Sequence, residues 1–256
     1  MNKSVIILCG GKGTRLGALS KKIPKCLVRI HNYPIIWFII NILKMNSFNH
    51  FILPVGYKGH MIKDYIKKEK IFRNLNIEIV NTGTNTSIAQ RIFKIKKKIL
   101  SDNFLLLNGD AILDFNIKKL FNNHKKNKID MTFLGCEAKL NFGIVGKIKN
   151  KIVSFEREIN FFSVLKRNSK KFTAYVYSGI SIINKKILNK KFENYKNFEK
   201  SFYPLIIKNF KTNLEHINGF WNSIDNMKDI KELNNSNYNK KFLEVEKIIK
   251  KIKNVK

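Results

Sequence analysis

Residues 8–27 read LCGGKGTRLGALSKKIPKCL, and the fold is decided there. The stretch follows an apolar run, 4–8, of the kind that forms a buried strand. Gly10, Gly11 and Gly13 come next, then Thr14 and Arg15, with Lys25 ten residues beyond the arginine. Glycines at a strand-to-helix turn let the backbone approach an anion, and the unpaired N–H groups there cradle phosphate oxygens. A guanidinium and an ammonium bring charge to the same polyphosphate. Two better-known glycine loops do not fit. A Walker loop requires G-x-x-x-x-G-K-[ST], but here Lys12 precedes Gly13. A dinucleotide fingerprint requires a third glycine where Leu16 stands, and an acid where 25–29 is basic. A glycine-rich surface turn would explain Gly10-Gly11 alone; it does not explain Thr14-Arg15-Leu16 followed by Pro24-Lys25. The loop reads as a triphosphate site.

Outward from this loop, strand and helix patterns alternate. Short apolar runs at 4–9, 51–54, 77–80 and 104–107 are separated by helical patterns at 34–45, 60–68 and 87–100. In the last of these, Ile92, Ile95 and Ile99 recur at helical spacing. This order predicts an α/β fold with a doubly wound, Rossmann-like sheet in a single main domain. Beyond Asp110 strands crowd together, at 131–136, 144–147, 152–155 and 173–183, so the sheet is expected to be mixed and its second half partly antiparallel. The main domain is expected over 1–235, with a basic terminal helix at 236–256. That helix carries Phe242, Val245, Ile248 and Ile249 on one stripe, which is expected to pack on the domain or on a partner subunit. A homo-oligomer is therefore left open. The most apolar stretch, 33–43, falls well short of the ~20 residues of a membrane span, and no secretory leader is expected. Cys9, Cys26 and Cys136 are too far apart for a C-x-x-C motif and read as buried thiols in a reducing cytoplasm.

The formal charge of +32 could suit a nucleic-acid binder. Yet only Arg15, Arg29, Arg73, Arg91, Arg157 and Arg167 are arginine, and the lysines are spread end to end among asparagine and isoleucine. Base-reading surfaces lean on arginine and on interleaved aromatics. No specific nucleic-acid partner is expected; the field would instead speed capture of anionic substrates.

The motifs together resemble the sugar-1-phosphate nucleotidyltransferases, most closely the glucose-1-phosphate cytidylyltransferases. Gly10 to Leu16 matches that family's GG-x-GTRL loop, and Pro24-Lys25 matches the start of its P-K-P segment, with Cys26 in place of the second proline. Gly56-Tyr57-Lys58-Gly59, Asn81-Thr82-Gly83 running on to Arg91, Asn108-Gly109-Asp110, and Phe220-Trp221 through Asp225 resemble further family motifs in the same order. Asn81 replaces an aspartate, and Ala89-Gln90 replaces a glycine pair before Arg91. The resemblance implies an enzyme whose substrates are a nucleoside triphosphate, CTP first, and a sugar 1-phosphate. It implies base and nucleotide contacts from Leu8, Gly10, Gly11, Gly13, Thr14, Thr86, Arg91 and Gly109.

In such a reaction a sugar-phosphate oxygen attacks the α-phosphorus and pyrophosphate leaves. The nucleophile is already an anion, so the task is to bring two polyanions together against their repulsion. Arg15 is expected at the departing phosphates and Lys25 at the α-phosphate and the incoming phosphate. Mg²⁺ takes one or two carboxylates and fills its remaining positions from phosphate and water. Asp110 follows an apolar strand and so emerges at a carboxyl end of the sheet; Asp225 follows an aromatic pair. Both match the family's acids, which makes them the expected metal ligands, with Asp102, Asp114 and Asp229 as the decoys. For the acceptor, Arg157 is aligned with a family lysine, although pairing with Glu156 or Glu158 is an equally open reading. Ser178 and Gly179 resemble a family strand near the sugar, though a strand glycine also marks a bulge.

Overall fold

The computed structural model describes residues 3–137, 144–148, 151–156, 175–189 and 198–254. Its centre is a seven-stranded sheet in the order β12-β8-β11-β6-β1-β4-β5. These strands are β1 (Ser4–Leu8), β4 (His50–Val55), β5 (Asn76–Asn81), β6 (Asn103–Asn108), β8 (Met131–Cys136), β11 (Val176–Asn184) and β12 (Thr212–His216). β1 pairs in parallel with β4 and β6, β4 with β5, and β8 with β12. β11 alone runs against its neighbours β6 and β8, so the sheet is mixed and mostly parallel, as expected. Small two-stranded pairs join β2 (Arg29–Ile30) to β3 (Tyr33–Pro34), β7 (Ala111–Phe115) to β13 (Gly219–Ser223), and β9 (Ile144–Ile148) to β10 (Lys151–Glu156).

A sheet covered on both faces must bury both sets of alternating side chains, which is why its central strands β1, β4 and β6 are near-continuous apolar runs, while the edge strands β5 and β12 carry polar residues. In β1, Val5 and Ile7 enter one core and Ile6 the other. The first core is filled by α2 (Ile35–Met45), α3 (Gly59–Lys68) and α8 (Asn239–Asn254). The second is filled by α4 (Ile88–Ile95) and α6 (Tyr203–Asn209). Within the apolar segment 33–43, Tyr33–Pro34 form β3 and the rest enters α2, which packs against β7 and α8 and is buried almost all round. Trp37 belongs to this core and stacks on Tyr33 with ring centroids 4.1 Å apart. The stripe on α8 is covered by the domain itself: Val245, Ile248, Ile249 and Ile252 are buried, and Phe242 lies against the His31 ring. None of the helices among the described residues is long and apolar enough to cross a membrane.

Two boundaries differ from expectation. The helical pattern over 87–100 ends at Ile95, where Lys96–Lys98 tighten into a 3₁₀ turn in which Lys96 donates to the Leu188 carbonyl and Lys98 pairs with Glu78. β11 begins at Val176, and 171–174 lie outside the described residues.

Candidate active site

The carboxyl ends of β1 and β6 open into a cleft of about 560 Å³. Leu8, Gly10, Gly11, Gly13, Thr14, Arg15, Lys25, Thr86, Arg91, Gly109 and Asp110 all line it, so the residues singled out for the nucleotide do converge. Leaving β1, the chain runs through the glycines into a 3₁₀ turn, Thr14–Leu16, and then α1 (Ala18–Lys22). Gly13 caps that turn at φ 62°, a left-handed conformation, and a Cβ there would lie 3.2 Å from the Lys25 Cβ. The glycine thus lets the loop fold down onto the lysine.

Lys25 is the charge centre. Its Nζ donates to Asp110 Oδ2 at 2.8 Å and to Asp225 Oδ1 at 2.9 Å, residues 85 and 200 positions away in sequence. The convergence follows from strand pairing. Asp110 sits between β6 and β7, β13 pairs antiparallel with β7, and the Ile224 N–H donates to the Asp110 carbonyl at 2.8 Å. Asp225 therefore arrives beside Asp110. Arg15 pairs with the same Asp225 oxygen at 2.8 Å while remaining 74% exposed. Burial pushes the Asp225 carboxyl up, but the hydrogen bond and charge of Lys25, with Arg15 and Ser223, outweigh it and leave the pKa below the ordinary range.

Two of the acids set aside as decoys, Asp229 and Asp114, have structural work. Asp229 closes a capping box with Asn226 at the start of α7 (Met227–Asn234) and also accepts from the Asp225 N–H at 2.6 Å. Asp114 pairs with Lys251 and ties down α8. Among the described residues there is no cluster of three or more His, Cys, Asp or Glu side chains that could hold a metal unaided. A pair of carboxylates meeting at one cation is instead the donor set that suits Mg²⁺ completed by phosphate and water.

Arg91 lines the cleft, but its donors are engaged. The residue is 4% exposed, and its guanidinium donates to Thr82 Oγ1 at 2.5 Å and to the carbonyls of Gly10 (3.0 Å), Val55 (3.3 Å) and Thr84 (3.3 Å). A Cβ on Gly10 would come within 2.3 Å of this group, which explains the first glycine. The Thr86 hydroxyl likewise donates to the Thr82 carbonyl at 2.6 Å. The two departures from the family pattern here are local caps: Asn81 Oδ1 accepts from the Gly83 N–H, and Gln90 forms a capping box with Ser87 that starts α4. Cys26, standing where the family has proline, meets Cys9; hydrogen bonding to Cys26 and burial both push the Cys9 thiol up, away from reactivity.

On the acceptor side, Ser178 has a partner within the protein. Expected at the sugar, it is 4% exposed and its hydroxyl donates to the Leu134 carbonyl at 2.8 Å. Gly179, at φ 76°, packs against the Asn108 side chain, with a bulge in the β11–β8 pairing nearby. Arg157 lies outside the described residues. Sequence reasoning missed Phe198 and Glu199, which also line the cleft. Their signal was an acid next to an aromatic in 198–202, inside an otherwise lysine-rich segment.

A family model described as nucleotidyl transferase matches residues 4–240. The chain belongs to that family. It is 27% identical to a probable glucose-1-phosphate cytidylyltransferase of Bacillus subtilis, over 90% of this chain and 94% of that one. It is 37% identical to a D-glycero-alpha-D-manno-heptose 1-phosphate guanylyltransferase of Campylobacter jejuni, over 47% of this chain and 53% of that one. Among solved structures, HddC from Yersinia pseudotuberculosis complexed with GMP-PN superposes with a TM-score of 0.67 at 23% identity, over 90% of this chain and 97% of that one. At that identity the likeness speaks for the fold alone.

Proposed function

We propose that this chain transfers CMP from CTP to a sugar 1-phosphate of the α-glucose 1-phosphate type, releasing pyrophosphate and forming a nucleotide sugar. Its setting would be the cytoplasm and its product a precursor of surface polysaccharide. The observation that carries the reading is the Lys25 ammonium, held between Asp110 and Asp225 on the floor of a cleft whose rim is the glycine loop.

In this reading the loop amides from Gly10 to Thr14 surround the β- and γ-phosphates and Arg15 neutralises them as they depart. Lys25 lies against the α-phosphate and the incoming phosphate, lowering the repulsion between them and the charge that develops in line. Asp110 and Asp225 would hold Mg²⁺, which when bound draws charge from the triphosphate oxygens. Arg157 and the backbone at Gly179 serve the acceptor. Support for cytidylyl transfer comes from the Bacillus subtilis relative, aligned over nearly its whole length.

A second reading, guanylyl transfer to a heptose or mannose phosphate, is favoured by the higher local identity to the Campylobacter jejuni enzyme. Pyrophosphate release over a matrix of four triphosphates and several sugar 1-phosphates separates the two. CTP with α-glucose 1-phosphate is expected to give the highest kcat/KM. A maximum with GTP and a heptose or mannose phosphate would replace the first reading by the second.

A further inference from the structure

We infer that Lys25 is a built-in stand-in for the divalent cation. With no nucleotide bound, its ammonium closes the Asp110–Asp225 pair to metal, and a triphosphate opens the pair by drawing Lys25 and Arg15 onto its own oxygens. The inference rests on the reading of these two acids as the metal pair and adds a rule for when they become available.

The geometry carries it. One ammonium, its side chain 13% exposed, sits within 2.9 Å of an oxygen from each carboxylate, the position from which a single cation would touch both. Arg15 covers the same Asp225 oxygen from the solvent side. A metal ion entering this arrangement would contend with two fixed positive groups for the same few lone pairs. Those cations are also the groups assigned to the phosphates, and each carries a single positive charge, so every phosphate oxygen that approaches it weakens its hold on the carboxylates. A triphosphate is a stronger anion than a lone carboxylate and presents many oxygens, so it wins both cations. The carboxylates are then left close together, unneutralised and partly buried, a state that is costly until a divalent cation arrives. Binding of nucleotide and of metal is thereby coupled through an exchange of partners, and each favours the other by the same factor.

Metal alone is the direct probe, because it needs no turnover. Mn²⁺ is titrated into the nucleotide-free full chain and followed by electron paramagnetic resonance, comparing wild type with Lys25→Met and Lys25→Gln. Removing the stand-in should tighten Mn²⁺ binding by about tenfold or more, and adding Asp225→Asn to either variant should abolish the gain. If a variant needs metal to fold, the same titration is followed by far-UV circular dichroism, and metal-induced folding supports the exchange. Folded variants that bind Mn²⁺ no more tightly than wild type overturn it, as do unfolded ones that metal does not rescue. Failure of the enzymatic reading would show separately, as absence of pyrophosphate release with every nucleotide.

Discussion

Arg91 and Lys25 carry positive charge into the same cleft, and their surroundings are opposite in kind. Arg91 gives its N–H groups to three backbone carbonyls and a threonine hydroxyl; none of these partners is a carboxylate. Lys25 gives its protons to two carboxylates, one of them shared with Arg15. A metal ion does not compete for neutral carbonyls, and Arg91 is buried among acceptors that the backbone holds in place, so the arginine is held by its surroundings. Its bonds fasten the glycine loop, the end of β4 and the 82–84 turn to one point. Burial lowers the Arg91 pKa, yet a guanidinium stays charged inside a protein, its cost met here by dipoles. Carboxylates are different partners, since an incoming cation competes for them. One cation therefore builds the cleft, and the other is free to change partners within it.

The largest expected effect tests the mobile partner. Lys25→Ala should lower kcat for pyrophosphate release by about 10²-fold or more, the usual loss when a group that stabilises developing charge is removed. Its far-UV circular dichroism should stay native. Near-normal turnover would take Lys25 out of the chemistry and dissolve the contrast with Arg91.

Next in size is the fixed partner. Arg91→Met keeps length but removes all the donors, leaving buried acceptors unpaired at a cost of about 2–4 kcal/mol. For a chain of this size that lowers Tm by roughly 5–15 °C, measured by calorimetry without any substrate. A melting temperature equal to wild type would show that the loop stands without its staple. Gly10→Ala should act in the same direction, because its Cβ would displace the guanidinium.

The contrast also explains what could be read in advance. The sheet was legible because strands buried on two faces are apolar throughout, and the glycine loop was legible because its spacing is local. Lys25, Asp110 and Asp225 came from motif order, but their meeting at one nitrogen depends on the β7–β13 pairing, which no local pattern announces. For Arg91, expected at the nucleotide from the family resemblance, sequence shows the cation and hides its acceptors, the farthest of them 81 positions away. The same holds for Ser178: a serine beside a glycine at a bulge gives no hint that the Leu134 carbonyl holds its hydroxyl. Asn81 and Gln90, which depart from the family pattern, form local caps, a role their spacing from Gly83 and Ser87 discloses.

The smallest expected effect extends the comparison to the far end of β6. His124, like Arg91, is buried among neutral partners, with Nδ1 at 2.8 Å from Thr132 Oγ1 and Nε2 at 3.0 Å from Asn103 Oδ1. Burial pushes its pKa down from 6.5 to about 4, against a smaller upward pull from Asp130. The unfolded chain therefore binds this proton at higher pH than the folded one. Stability tied to His124 is complete above pH 6.5 and drains away as the pH falls toward about 4. Tm of the wild type should accordingly drop across that window, and His124→Gln should start from a lower Tm but lose less of it over the same interval. An equal slope in both proteins would mean that the imidazole titrates alike folded and unfolded, and that neutral partners around a buried titratable group do not by themselves keep it out of the pH response.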